Sequence, residues 1–268
     1  MACHVPVTVF PMKIELLGTG GYFANSLRQT ACVLLPEWGI AFDAGSALYR
    51  LPERCSNTDL HLFLTHPHLD HIVGLPFLLM PKLTGHFSEI TVHANSYTLQ
   101  AVAEHLFANA LFPVEMPFAR HAIESAGSME VRSGLTVSWQ SLPSHPGGSM
   151  AYRIDANSPD ERCSLAYVTD TSVDGTYTDF ISNVDLLLHE CYFDDARANL
   201  AVRTGHSHAS EVAHLAASVN AGQLVVVHVD PTLDLEDPIG LPGMQAIFPH
   251  TEIGRDGMQI EIAGRACP

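Results

Sequence analysis

Short apolar runs separated by turn residues recur along the chain and predict many β-strands. Residues 12–17 alternate apolar and polar side chains, as half-buried strands do, and end in a Gly-Thr-Gly-Gly turn that by itself indicates only a tight loop. Residues 31–35 and 40–42 flank a Pro-Glu-Trp-Gly turn and predict a hairpin. Similar patterns predict strands at residues 60–65, 90–94, 150–154, 165–169, 184–189, 224–228 and 258–262, and a second hairpin at 129–142.

Three further segments have helical patterns. The last of them, residues 207–219, places apolar residues at spacings of three and four along one face. The other two are recognised by their ends, because Asn and Ser cap helix N-termini and Pro interrupts helices. The predicted helices are residues 70–80, stopped by Pro81, residues 96–110, capped by Asn95 or Ser96, and residues 207–219.

The order of these elements predicts an α/β fold. Runs of strands interrupted by a few helices favour two sheets packed face to face with helices outside, an αββα sandwich. No Gly- or Ser-rich linker and no repeat divides the chain. We therefore expect one domain over residues 1–268, with residues 1–11 as an N-terminal extension.

Composition narrows the function. Lys and Arg number 13 against 29 Asp and Glu, a net charge of −16, whereas nucleic-acid binders usually carry basic surfaces. Nucleic acid is therefore not the expected partner. No apolar run is long enough to span a bilayer and residues 1–11 lack a signal-peptide apolar block, so we expect a cytoplasmic protein without membrane contact. The six cysteines are scattered, which predicts buried thiols rather than a disulfide framework or a zinc knuckle.

One segment carries most of the chemistry. A buried apolar strand is followed by three imidazoles and a carboxylate within six residues, and these are groups that zinc, manganese and iron accept as ligands. The alternative is a polar loop with coincidental histidines. The segment contains His66, His68, Asp70 and His71.

This HxHxDH segment resembles the signature of the metallo-β-lactamase superfamily, and the resemblance extends over most of the chain. Asp43 of an Asp-Ala-Gly sequence matches the family's early aspartate, which is usually structural and here could fix ligand tautomers. The resemblance implies two divalent metal ions, zinc first, with manganese or iron as alternatives. It implies that His66, His68 and His145 hold one ion, that Asp70, His71 and His228 hold the other, and that Asp170 bridges them.

A finer resemblance concerns the ribonuclease Z-like branch. Residues 70–76 (DHIVGLP) resemble its DHxxGLP, residues 189–193 (HECYF) its HEATF, and residues 205–208 (GHSH) its GHST. By this resemblance, Glu190 and His206 form a pair that protonates the leaving group. The alternative for His206 is an ordinary loop residue before a helix, and structural roles are expected for the branch motifs' remaining histidines, 189 and 208.

Two departures from that branch concern its substrate. Ribonuclease Z enzymes usually carry a tRNA-binding arm between the third and fourth motifs, but His145 and Asp170 are too close in sequence to enclose one. The branch also follows its last histidine with a phosphate-binding Ser and Arg, where this chain has Asp230, which repels phosphate. Both departures, with the net charge, argue against tRNA processing.

The implied reaction is hydrolysis by a water that two metal ions activate, with Asp70 and Asp170 orienting that water. A small-molecule phosphodiester is the first substrate hypothesis. Lactone, thioester or sulfate-ester hydrolysis is the second, because the same site supports it. A non-hydrolytic, metal-binding accessory protein of a biosynthetic pathway is the third.

A homodimer is compatible with the sequence, and residues 106–118 are interpreted as a loop packed on the core rather than as a pocket wall.

Overall fold

The computed structural model describes residues 11–233 and 235–266, and its strands form two sheets. The first sheet contains seven strands: β1 (Met12–Gly18), β2 (Cys32–Leu35), β3 (Ile40–Phe42), β4 (Asp59–Phe63), β5 (Glu89–Ala94), β6 (Ala119–Ala122) and β14 (Met258–Ile262). Their order is β14-β1-β2-β3-β4-β5-β6, and β3 to β6 run parallel. The first predicted hairpin is present as β2 and β3.

The second sheet contains the remaining strands. They are β7 (Ala126–Arg132), β8 (Leu135–Leu142), β9 (Ser149–Asn157), β10 (Glu161–Val168), β11 (Leu186–Glu190), β12 (Gln223–Val227), β13 (Thr251–Ile253) and β15 (Arg265–Ala266). Their order is β13-β12-β11-β10-β9-β8-β7, with β15 paired to β10. Strands β10 to β13 run parallel, so each sheet has a parallel half.

Seven α-helices lie in the described chain: α1 (Leu51–Arg54), α2 (Leu69–Ile72), α3 (Leu79–Leu83), α4 (Ser96–Ala101), α5 (Ala198–Thr204), α6 (Ala209–Ser218) and α7 (Leu241–Ile247). Apolar residues of α1, α2 and α4 pack on the outer face of the first sheet, and those of α6 and α7 pack on the second. None of the helices in these ranges is long and apolar enough to cross a membrane.

The main core lies between the sheets. Phe42 of β3 stacks on Tyr152 of β9 and Tyr167 of β10, with ring centroids 5.3 and 5.5 Å apart. Two further apolar clusters fill the spaces between each sheet and its helices. The predicted α/β class and αββα sandwich are confirmed, because burial of both faces of both sheets requires this layering. The expectation of one domain stays a prediction, and residues 1–10 of the expected extension lie outside the described residues.

Two helix predictions fail at their ends. The helix predicted over residues 70–80 is divided into α2, a 3-10 turn and α3, and α3 includes Pro81. Pro81 is the third residue of α3, where no intrahelical donor is needed, so its ring causes no break. The helix predicted over residues 96–110 is capped by the side chain of Asn95, as expected. It then widens into a π-helical turn and ends at Leu106.

The cysteines behave as predicted where the structure describes them. Cys32, Cys55, Cys163 and Cys191 are buried and free. Burial raises the pKa of the Cys191 thiol well above its ordinary value, which keeps it protonated and unreactive. The other two cysteines lie outside the described residues.

Candidate metal centre

The predicted metal ligands meet at one end of the sandwich. Residues 66–71 follow β4 in the first sheet, while Asp170 and His228 follow β10 and β12 in the second. His145 lies in the turn between β8 and β9. The carboxyl ends of parallel strands meet at one edge of each sheet, and the two edges face each other here. Side chains distant in sequence therefore converge at this edge.

The backbone at these strand ends is unusual. Asp43, Asp170 and His228 have φ angles of 58°, 50° and 52°, in the left-handed region that favours glycine. Each such residue costs of order 1 kcal/mol or more, and packing must hold it in place. Strain at three neighbouring strand ends is typical of functional sites.

The first group of side chains surrounds one oxygen of Asp170. Nε2 of His66 and Nε2 of His145 each lie 3.6 Å from Oδ2 of Asp170. Nδ1 of His68 lies 3.2 Å from Nε2 of His145. These four residues offer ligand atoms that all lie within 4.8 Å of one another, close enough to hold one metal ion.

The second group surrounds the other oxygen of Asp170. Nε2 of His71 and Nε2 of His228 lie 3.2 and 3.3 Å from Oδ1 of Asp170. The two nitrogens lie 3.2 Å from each other. Oδ2 of Asp70 lies 3.4 Å from the nitrogen of His71 and 3.2 Å from that of His228. A second ion could therefore bind beside the first, with the Asp170 carboxylate between them.

Buried hydrogen bonds set the orientation of the imidazoles. Nδ1 of His71 donates to Oδ2 of Asp43 at 2.8 Å, which leaves its Nε2 for the site. The same carboxylate accepts hydrogen bonds from the hydroxyl of Tyr167 and from the backbone and hydroxyl of Thr65. Nδ1 of His145 faces the carbonyl oxygen of Gly205 at 3.4 Å. The expected structural role of Asp43 therefore agrees with its contacts.

The donor set fits a divalent cation. Nε2 of His66 is buried, points into the first group and has no hydrogen-bond partner among the described residues. Burial lowers the pKa of His66 well below its ordinary value, so the ring is neutral and can act as a ligand. Burial opposes protonation of His71 too, but the charges of Asp170 and Asp70 raise its pKa well above its ordinary value. The second group thus attracts positive charge, which a metal ion would supply.

Glu190 and His206 form the pair expected from the branch resemblance. Nδ1 of His206 lies 3.0 Å from Oε1 of Glu190. The Glu190 carboxylate is fully buried and accepts backbone N–H hydrogen bonds from Thr171 at 2.6 Å and Ser207 at 3.1 Å. Burial lowers the pKa of His206, but the charge of Glu190 and its hydrogen bond outweigh burial and raise the pKa to about 9. His206 is therefore an imidazolium at neutral pH in this environment.

The centre opens into a cavity of about 210 Å³. Lining residues outside the two groups are Tyr22, Tyr192, Phe193, Thr204 and His206. Tyr192 stacks on His206, with ring centroids 4.8 Å apart and planes 23° apart. A larger open hollow of about 570 Å³ near Gln223 and Glu252 lies at the opposite, amino ends of the strands, away from these histidines.

Sequence reasoning missed the residues of the turn after β1. A Cβ atom at Gly21 would lie 2.5 Å from Cε1 of His228, so only glycine fits there. The next residue, Tyr22, donates its backbone N–H to Oδ2 of Asp70 at 2.7 Å. The Gly-Thr-Gly-Gly turn was the available signal, because glycines often mark places where backbone approaches a site closely.

The contacts of His189, His208 and residues 106–118 agree with the structural roles expected for them. Both ring nitrogens of His189 are bonded, to the hydroxyl of Tyr177 and the backbone oxygen of Glu190. Nδ1 of His208 lies 2.8 Å from a carboxylate oxygen of Asp195. In the segment 106–118, Phe107 and Phe118 belong to the core between the first sheet and its helices, as interpreted from sequence.

Residues 40–229 match the family described as the beta-lactamase superfamily domain, which is more than half of the chain. The chain belongs to this superfamily. The matched region begins at β3 and ends just after His228, so it contains both groups of the metal centre. The superfamily membership expected from the HxHxDH segment is therefore confirmed. A cluster of histidines and aspartates of this type indicates divalent metal binding.

Two of the similar proteins carry ribonuclease names, and a third is named for its fold. A protein named ribonuclease Z from Aeropyrum pernix is 27% identical over 94% of this chain and 98% of its own length. The metallo-beta-lactamase fold protein YhfI from Bacillus subtilis has a TM-score of 0.74 at 22% identity, covering 94% of this chain and 99% of the other. The short form of human tRNase Z has a TM-score of 0.73 at 21% identity, covering 94% and 99%.

These likenesses confirm the fold, the ribonuclease Z-like branch and the class of metal-dependent hydrolase. They do not support the expectation that nucleic acid is not a partner, because the relatives are named for ribonuclease activity.

Proposed function

We propose that this protein hydrolyses a small phosphodiester with two divalent metal ions, most simply zinc. One observation carries the proposal: each oxygen of the Asp170 carboxylate faces a separate group of imidazole nitrogens, at 3.2 to 3.6 Å. A structural zinc site is closed by four ligands around one ion, and it needs no bridging carboxylate. A shared carboxylate between two open groups is instead what a two-metal hydrolase requires.

The proposal gives each predicted ligand one role. His66, His68 and His145 would hold the first ion, Asp70, His71 and His228 would hold the second, and Asp170 would contribute to both. When bound, such ions polarise the scissile group and acidify a water molecule. Asp70 would also orient that water, and its carboxylate is fixed by the Tyr22 backbone N–H, which donates to Oδ2.

His206 is proposed as the general acid, assisted by Glu190. The ring nitrogen bonded to Glu190 is Nδ1, so Nε2 is the nitrogen left to face the cavity that His206 lines. In this role Nε2–H protonates the oxygen that leaves, and Glu190 keeps the ring charged and oriented until that step. The Glu190 carboxylate is itself fixed in place by hydrogen bonds from two backbone N–H groups.

The size and charge of the cavity favour a small substrate. Its volume of about 210 Å³ lies below the range of typical ligand pockets, and no Lys or Arg is among its described lining residues. Arg197 lies nearby, but its guanidinium is bound to Asp230 at 2.5 Å and to Asp194 at 3.1 Å. Without a free cation for further phosphates, a substrate with one phosphodiester fits better than a polyanion.

RNA is the second candidate, because the relatives' names favour it. The alignment with the Aeropyrum pernix relative argues against RNA. It spans 311 positions, so the relative includes segments that this chain of 268 residues lacks. The turn between β9 and β10 is also short, so no arm extends between His145 and Asp170. Precursor tRNA is accordingly expected to remain uncleaved at physiological salt, and efficient 3′ processing would replace the present proposal.

A substrate panel tests the proposal. Protein loaded with zinc or manganese is assayed with bis(p-nitrophenyl) phosphate, p-nitrophenyl phosphate, p-nitrophenyl sulfate, a lactone and a thioester. Turnover of the diester is expected to exceed that of the others, and His68→Ala should lower both metal content and turnover. Preference for a lactone, thioester or sulfate ester would move the assignment to the second hypothesis. Full metal occupancy without turnover of any ester would favour the accessory role.

A further inference from the structure

The turn between β1 and β2 is fixed against the metal centre. The backbone N–H of Gly20 donates to the carbonyl of Gln29 at 2.9 Å, and that of Gly21 donates to the carbonyl of Val229 at 3.1 Å. Further along, the side-chain amide of Asn25 donates to the carbonyl of Pro231 at 3.0 Å. The turn is thus tied to the segment after His228 on both sides of Tyr22.

Tyr22 adopts a conformation that its side chain does not favour. Its φ angle is 57°, where a bulky residue is strained, while its N–H is bonded to the Asp70 carboxylate. Asn would adopt this backbone with less strain, and glycine with none. A tyrosine here therefore indicates a use for the ring itself.

The ring lies at the cavity and is open to solvent. Tyr22 is 69% exposed although it lines the cavity of the metal centre. Its ring contacts Phe23 edge to face, with centroids 5.1 Å apart and planes 69° apart, which limits its rotamers. A strained, oriented and exposed aromatic ring beside an active site has the properties of a contact surface for an apolar group.

We propose that Tyr22 determines specificity by binding a planar ring of the substrate while the metal centre binds the phosphoryl group. The inference rests on the proposed function in that it places the phosphoryl group at the metals. The absence of Lys and Arg from the described cavity lining agrees with this occupant, because a flat, uncharged ring needs no ion pair. The substrate class is thereby narrowed to phosphodiesters that carry an aromatic or heteroaromatic substituent.

A binding experiment tests this without requiring turnover. Phenylphosphonate and methylphosphonate share a head group, differ by the ring and contain no ester bond. Calorimetric titration of zinc-loaded protein should give tighter binding of phenylphosphonate. Tyr22→Asn should reduce the ratio of the two dissociation constants about three- to tenfold, the scale of one aromatic contact, whereas Tyr22→Phe should retain it.

The control replaces an aromatic ring elsewhere. Tyr97 on α4 is 64% exposed and is absent from the cavity lining, so Tyr97→Asn should leave the ratio unchanged. Equal ratios for wild type and Tyr22→Asn, or failure of both phosphonates to bind, would overturn the inference. Retention of the ring preference by a protein that hydrolyses no ester would support this inference while overturning the proposed function, so the two failures are distinguishable.

Discussion

Asp43 and His71 form a buried hydrogen bond in which Nδ1 of the imidazole donates to Oδ2 of the carboxylate at 2.8 Å. Both side chains are inaccessible to solvent. The contact fixes the tautomer of His71 and directs its Nε2 toward Asp170 and His228. Asp43 thus acts on the metal centre from behind it, without offering a ligand atom to either group.

Loss of this carboxylate should weaken metal binding. Asp43→Asn can donate to Nδ1 of His71, which favours the wrong tautomer, so we expect affinity for the ion of the second group to fall about 10- to 100-fold. Competition with a chromophoric chelator measures the affinity. Asp59→Asn, an exposed acid at the start of β4, is the matched control and should not change it. Unchanged affinity in Asp43→Asn would show that packing alone orients His71.

The close approach of Gly21 to His228 gives a steric prediction. Gly21→Ala places a Cβ atom within 2.5 Å of the imidazole, so His228 must move and occupancy of the second group should fall below that of wild type. Gly243→Ala in α7 is the control, because nothing lies within 4 Å of a Cβ there. Mass spectrometry measures the metal content of wild type and of the two variants. Equal metal content in all three proteins would remove His228 from the proposed ligands.

The role of His206 is tested by the leaving group. His206→Ala should leave metal content intact and slow diesters with alkoxide leaving groups about 10²- to 10⁴-fold, the usual contribution of a general acid. Activated aryl esters should be slowed far less, because their departing oxygen needs little protonation. Glu190→Gln should show the same pattern more weakly. Equal losses on good and poor leaving groups would indicate a binding role instead.

A chain of histidines across β4, β5 and β6 predicts acid sensitivity. Buried His93 contacts His61 at 3.0 Å and His121 at 2.9 Å through its two ring nitrogens. Burial, and then the neighbouring imidazoles, lower the pKa of His93 from 6.5 to about 3. The unfolded chain thus binds a proton that the folded chain does not, so stability is retained above pH 6.5 and lost as pH falls toward 3.

The slope of the free energy of unfolding against pH tests that prediction. One such group reduces the free energy of unfolding by up to about 1.4 kcal/mol per pH unit within this window. Urea unfolding between pH 6.5 and 5 should show a shallower slope for His93→Gln than for wild type. His86→Gln, an exposed histidine, should retain the wild-type slope. If His93→Gln also keeps the wild-type slope, the folded structure does not lower the pKa of His93.

The sequence by itself determined the layers, the types of ligand and most strands, although β6, β13 and β15 were not predicted. Alternation and turn residues are local signals, so most strands lie within a few residues of their predicted bounds. Residues 66–71 showed their chemistry because a strand end delivers them together. Helix ends were less accurate: α3 runs through Pro81, because a proline in the first turn breaks no hydrogen bond.

Only the tertiary structure decided how distant residues share one site. Asp170 divides its two oxygens between groups whose members come from both sheets, and Gly21 packs on His228 more than 200 residues away in sequence. The exposed ring of Tyr22 and the contacts of His93 likewise follow from strand pairing and register. Such juxtapositions depend on sheet packing over the whole chain, and no local pattern of side chains encodes them.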